Sequence, residues 1–179
     1  MAGIGTGGHI MIASKDKDYL PPQSVVDITV VDIGEPVLRA VAFGLKETGF
    51  LADADPRETG FSLHGVVRGP WWRPFVIATV TNECIQPPVS KRVVFIINTT
   101  VPLTYLSNST LDALEDERAP KAMGVNVHGT RITAYRAPAG KRFGDANVLG
   151  TTFVRDSRLT VVMDFAKLSV ELHLQPPQT

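Results

Sequence analysis

Apolar and polar positions follow two rhythms along this chain. Residues 24–33 read Ser-Val-Val-Asp-Ile-Thr-Val-Val-Asp-Ile, β-branched and partly alternating, which is the strongest strand signal present. Residues 9–13 form a shorter apolar run, separated from it by a charged loop that carries Pro21-Pro22. Gly34 ends the strand and Glu35-Pro36 opens a helix, since proline's missing N–H costs nothing in a first turn. Val37, Ala40, Val41 and Leu45 keep helical spacing through Lys46, and Gly49 is a stop signal. Strand patterns then recur at 61–67 and 73–81, and at 92–97 as an unbroken apolar run that predicts burial on both faces. A short helix is expected over 109–115, capped by Asn108 or Ser109. Residues 125–128 and 131–136 flank Gly129 as a hairpin. A turn of helix at 152–154 follows 147–150, and 159–165 pairs with 168–174 across Ala166-Lys167 as a closing hairpin.

These elements predict a mainly β protein with some α. The order hairpin, helix, strand in the first part is similar to the ubiquitin-like β-grasp fold. Charge divides the chain as well. Residues 1–68 carry 6 basic and 9 acidic side chains, a net of −3, and residues 69–179 carry 12 and 9, a net of +3. The sign changes at Arg68-Gly69-Pro70, which has turn chemistry, so a domain boundary is expected there. The predicted organisation is a flexible Gly-rich tail at 1–8, a small α+β module at 9–68 and a β domain at 70–176. The tail lacks a preceding strand and a following helix, so it does not read as a phosphate-binding loop.

Composition narrows the function classes. The 179 residues contain 18 Lys+Arg and 18 Asp+Glu, so nothing points to nucleic acid or an anionic membrane surface. One cysteine, Cys84, precludes an intrachain disulfide and a multi-cysteine zinc site. No apolar run is long enough to span a membrane, and the first residues lack the basic and apolar regions of a signal peptide. The expectation is a cytoplasmic protein without cofactor or metal.

Three segments of the later part, in order, resemble the retroviral-type aspartic proteases, the retropepsins. Trp72-Arg73-Pro74-Phe75-Val76 resembles that family's first strand. Val93-Val94-Phe95-Ile96-Ile97-Asn98-Thr99-Thr100-Val101 resembles its active-site strand and loop, which normally reads apolar-apolar-Asp-Thr-Gly-Ala/Ser. Asn147-Val148-Leu149-Gly150, with the hairpin after it, resembles its Leu-Gly turn, short helix and final hairpin. The resemblance covers residues 71–175 and implies a closed β domain.

The departures bear on function. Asn98 stands where the family has its catalytic Asp, Thr100 where it has Gly, and Val101 where it has Ala or Ser. Aspartic proteolysis needs two carboxylates sharing a proton. Two copies of Asn98 would bring together amides that cannot take a proton from water. The flap hairpin that closes over substrate in the family is reduced to a stub around 118–124. The resemblance therefore implies a pseudoenzyme acting in assembly, scaffolding or binding of an extended peptide or protein, as a homodimer. Thr99, Leu149 and Gly150 are the loop contacts it implies, and Leu168, Val170 and Leu172 the contribution to a shared dimer sheet. The alternative is an active endopeptidase carrying an Asp-to-Asn substitution at position 98. That would account for Asn98 but not for Thr100, Val101 or the short flap region.

Other candidate chemistry is weaker. Asn98-Thr99-Thr100 and Asn108-Ser109-Thr110 match the N-glycosylation pattern but read as structural. His9, His64, His128 and His173 have no metal-ligand spacing. Cys84 has no neighbouring base, and Asp112, Glu115, Asp116 and Glu117 read as a solvated face. Trp71-Trp72, read as strand, should point to opposite faces, one inward and one free for a partner.

Overall fold

Residues 33–45, 49–60, 62–114, 121–137 and 145–175 are described by the structure, a computed structural model. The predicted tail, the strand at 9–13 and all of the strand at 24–33 except Ile33 lie outside these residues, so the β-grasp likeness falls there too. Helix α1 (Glu35–Gly44) has Pro36 in its first turn and ends before Gly49, with Leu45 as its C-cap. Its buried face is Leu38, Val41 and Ala42, the i, i+3, i+4 set. Ala40 points to solvent, so the apolar stripe is rotated from the one expected.

Among the described residues nine strands form a single mixed sheet: β1 (Ser62–Arg68), β2 (Arg73–Asn82), β3 (Val89–Ile97), β4 (Thr104–Leu106), β5 (Ala122–Val127), β6 (Thr130–Arg136), β7 (Val148–Leu149), β8 (Leu159–Asp164) and β9 (Ser169–Leu174). Two short helices, α2 (Asn108–Ala113) and α3 (Thr151–Asp156), follow β4 and β7. The protein is thus mainly β with some α. The pairing of β2 with β3 closes β2, β3, β7, β4, β6 and β5 into a ring, from which β1, β9 and β8 extend.

The ring is built from two similar halves that cross. Each half is an antiparallel hairpin (β2–β3, β5–β6), then a short strand (β4, β7), then a short helix (α2, α3). The short strand of each half pairs in parallel with the hairpin of the other: β7 with β3 and β4 with β6. The two short strands meet antiparallel at Tyr105 and Val148.

Strand β3 is buried on both faces, as its unbroken apolar run predicts. Val93, Phe95 and Ile97 enter the main core with Leu106, Phe153 and Leu172. Val94 and Ile96 enter a second core on the opposite face, which α1 covers with Leu38, Val41 and Ala42. Fully burying an aliphatic or aromatic side chain of this size contributes about 1.5–3 kcal/mol.

The domain boundary expected near Pro70 lies inside a hairpin. Arg68 pairs with Arg73 across the 69–72 turn, and β1 also pairs with β9 from the far end of the chain. Strand β1 therefore belongs to the same sheet as the strands after Pro70. The charge sum changes sign at a turn, not at a linker. Gly65 sits where β1 crosses β2, and a Cβ there would collide with the Phe75 carbonyl. Helix α2 is capped by Ser107, whose Oγ accepts from the Thr110 N–H at 3.2 Å. The expected cap Asn108 instead accepts from Arg136 Nη1 at 2.6 Å.

Gly150 is the tightest point of the crossing. A Cβ at this position would meet the Leu103 carbonyl oxygen, which is backbone and cannot swing away. We predict that Gly150→Ala destabilises the fold by about 3 kcal/mol. Urea unfolding should show the midpoint falling while the slope stays unchanged.

Candidate functional site

Strand β3 ends at Asn98, whose side chain is tied down locally. Its Oδ1 accepts from the Thr100 N–H at 3.0 Å and from Thr100 Oγ1 at 2.7 Å. This two-residue turn is the use of Asn that its short acceptor side chain favours. The Asn98 N–H donates to the Leu149 carbonyl at 3.0 Å, and its carbonyl accepts from Val101 N at 3.4 Å. The loop is then stitched to the Gly150 turn by Thr151 N to Val101 O at 2.9 Å and Thr152 N to Pro102 O at 3.0 Å. Thr99 and Thr100 are exposed while Asn98 is buried. Thr100 turns its hydroxyl back onto Asn98.

A cavity of about 630 Å³ opens over this loop. Asn98, Thr99 and Thr100 form one wall, and Trp71, Trp72, Val161, Met163 and Phe165 supply apolar surface. Among the described residues Arg73 is the one charged side chain in its lining, which holds no carboxylate, imidazole or thiol. What it presents is apolar area: Trp71 is 65% exposed and Phe165 55%. Both tryptophans lie in the 69–72 turn, Trp72 with φ +52, so they do not alternate across a strand as expected. They leave on the same side, and neither joins the core.

The remaining expected contacts divide. Leu149 and Gly150 are buried beneath the loop, and Val170 and Leu172 are fully buried in the core. Strand β9 is hydrogen-bonded on both edges, by β1 and by β8. It has no edge left for a second chain, so the expected contribution of Leu168–Leu174 to a shared sheet is corrected. Leu168 lies in the exposed turn before β9 at φ +54. Among the described residues β8 is the strand with a single partner. Its Val161 and Met163 line the cavity. Sequence reasoning missed these two because alternation marks them as one face of a strand without saying which strand lies beside it.

The histidines fall elsewhere. His9 is outside the described residues. His128 sits buried in the β5–β6 turn at φ +49, its N–H donating to the Thr79 carbonyl at 2.7 Å. Nearby, Glu58 accepts from Thr79 Oγ1 at 2.8 Å and from Arg92 Nη2 at 3.1 Å. Among the described residues no group of three His, Cys, Asp or Glu is placed to hold a metal ion. Nor is any helix among them long and apolar enough to cross a membrane. Comparison with protein-family models and with curated proteins finds no match to this chain.

Burial pushes the His128 imidazole below its ordinary pKa of 6.5, against a raising effect of the Gly60 carbonyl and Glu58. The unfolded chain then binds this proton more readily than the folded one. The contribution of neutral His128 is complete above the ordinary value and is lost as pH falls below about 6.5. His128→Asn keeps a residue that tolerates positive φ. Its urea-unfolding free energy should decline less than that of the unmodified protein between pH 7 and 5.5.

Proposed function

We propose that this chain is a retropepsin-like protein without aspartic-protease chemistry, acting as a self-associating binding module. What carries the reading is the apolar cavity around Asn98–Thr100, set beside the one described strand edge that has no partner. The crossed halves support it, with the Asn98 loop and the Leu149-Gly150 turn held together at their intersection. The chemistry of the cavity wall supports the loss of catalysis, since position 98 is an amide and the described lining residues include no acid.

The occupant that fits is a second copy. An exposed apolar patch of this kind on a monomer marks an association surface. Strand β8 reads Leu-Thr-Val-Val-Met-Asp, without the Lys or Pro that commonly guards an open edge. Two copies related by a two-fold axis would bury each other's Trp71, Trp72, Met163 and Phe165 and set the two Asn98 loops face to face. An extended peptide added to the β8 edge is the competing occupant.

The unmodified protein is expected to sediment as a dimer at micromolar concentration. Met163→Lys, which places a charge in the cavity, should shift it to monomer without lowering its unfolding midpoint. A strict monomer at all concentrations overturns self-association. Catalysis is tested separately. An unbiased peptide library should remain uncut from pH 3 to 8, both by the unmodified chain and by Asn98→Asp. Cleavage that switches on with Asn98→Asp alone would instead identify an endopeptidase inactivated at one position.

A further inference from the structure

A second group of chemically capable side chains lies away from this cavity, on the β1 and β9 strands. Ser62 and His64 alternate on β1 and so share a face. Across the ladder, His64 is opposite Glu171 and Ser62 is opposite His173. The Ser62 Oγ lies 3.0 Å from His64 Nε2, and the other ring nitrogen, Nδ1, lies 3.5 Å from Glu171 Oε1. The second oxygen of Glu171 is 2.9 Å from His173 Nε2. We propose that Ser62, His64 and Glu171 form a nucleophile–base–carboxylate relay that acylates on small carboxylic esters.

Two features beyond proximity support it. The first is the use of the ring. An ionised carboxylate only accepts, so the neutral tautomer that suits Glu171, 3.5 Å from Nδ1, is the one with its proton on Nδ1. Nε2 is then left with its lone pair toward the Ser62 hydroxyl, which is the arrangement a general base needs. His173 on the other oxygen holds the carboxylate from the far side. The second feature is a place for substrate. Ser62 and His64 line a cleft of about 430 Å³ with Leu45, Leu63 and Ile77 on its apolar side and the paired Glu58 and Arg92 with Thr79 on its polar side. The apolar side of that cleft suits a short apolar acyl group.

The chemistry balances with water as the only co-reactant. Ser62 Oγ bonds to the acyl carbon while its proton passes to His64 Nε2. The bond to the leaving alcohol breaks, and His64 returns that proton to the departing oxygen. Water, deprotonated by His64, then cleaves the acyl-serine and restores the hydroxyl. The sum is ester plus water giving acid plus alcohol. None of these residues borders the Asn98 cavity, so the inference stands apart from self-association.

His64 is 66% exposed at its side chain, so covalent capture is a sharper readout than turnover. The full chain is treated with a fluorophosphonate, which phosphonylates an activated serine and expels fluoride, and is then read by intact mass and peptide mapping. The expected result is a single adduct on Ser62, forming faster as pH rises. His64→Ala should slow it about a hundredfold, and Glu171→Gln should slow it to a smaller extent. No adduct, an adduct on another hydroxyl, or a Ser62 adduct indifferent both to His64→Ala and to pH would overturn the proposal. The pH profile needs no variant, so it reads the relay even if a substitution disturbs β1.

Discussion

The structure depends on how closely two chain segments pass at the crossing of its halves. The backbone at Gly150 lies against the Leu103 carbonyl, a contact only a residue without a Cβ can make. Around that point the N–H groups of Asn98, Thr151 and Thr152 all find carbonyls on the opposing segment. Asn147 completes the knot. Fully buried, it donates to the Val94 carbonyl at 3.2 Å and accepts from the Ser107 N–H at 2.8 Å. One side chain thus ties β3 to the start of α2. A buried amide with both ends satisfied fixes register, while one left half-satisfied would cost about 1–3 kcal/mol. The loop that carries Asn98 is consequently a rigid shelf, and the apolar residues around it are displayed on a fixed frame.

Binding through preformed apolar area loses little conformational entropy in the protein itself. The Trp71-Trp72 turn and the β8 strand come from distant parts of the sequence. They meet at one cavity only because β1, β9 and β8 extend from β2 as a continuous sheet. The opposite face of the same three strands carries Ser62, His64 and Glu171, so one extension has an apolar and a polar side. That division follows directly from the two-residue period of a strand.

Much of this was legible in the sequence. The unbroken apolar run at 92–97 implied a strand buried on both faces, and β3 has a core on each. Gly129 and the Ala166-Lys167 pair marked two hairpins that exist. The failures have physical causes. Ser107-Asn108-Ser109-Thr110 are four successive cap formers, and no local rule chooses among them; the Asn147 bond to Ser107, forty residues away, does so. Strand β4 is three residues long and owes its existence to neighbours at 134–136 and 148. The Gly69-Pro70 turn was visible but read as a boundary, because turn chemistry is the same between domains and within a hairpin. At the site, Asn98 and its neighbours were found from sequence, since the loop is local. Met163 and Phe165 were not, since their exposure depends on which strand flanks β9.

The parallel pairings also set the order in which the chain can be completed. Strand β3 needs β7 as its neighbour, and Ile96 pairs with Val148. During synthesis at about 5–20 residues per second, β3 and its apolar faces therefore wait several seconds for their second edge. The hairpins can form early, but the ring cannot close until the Leu149-Gly150 turn has emerged. The nascent protein passes through an interval in which its most apolar strand lacks its second neighbour.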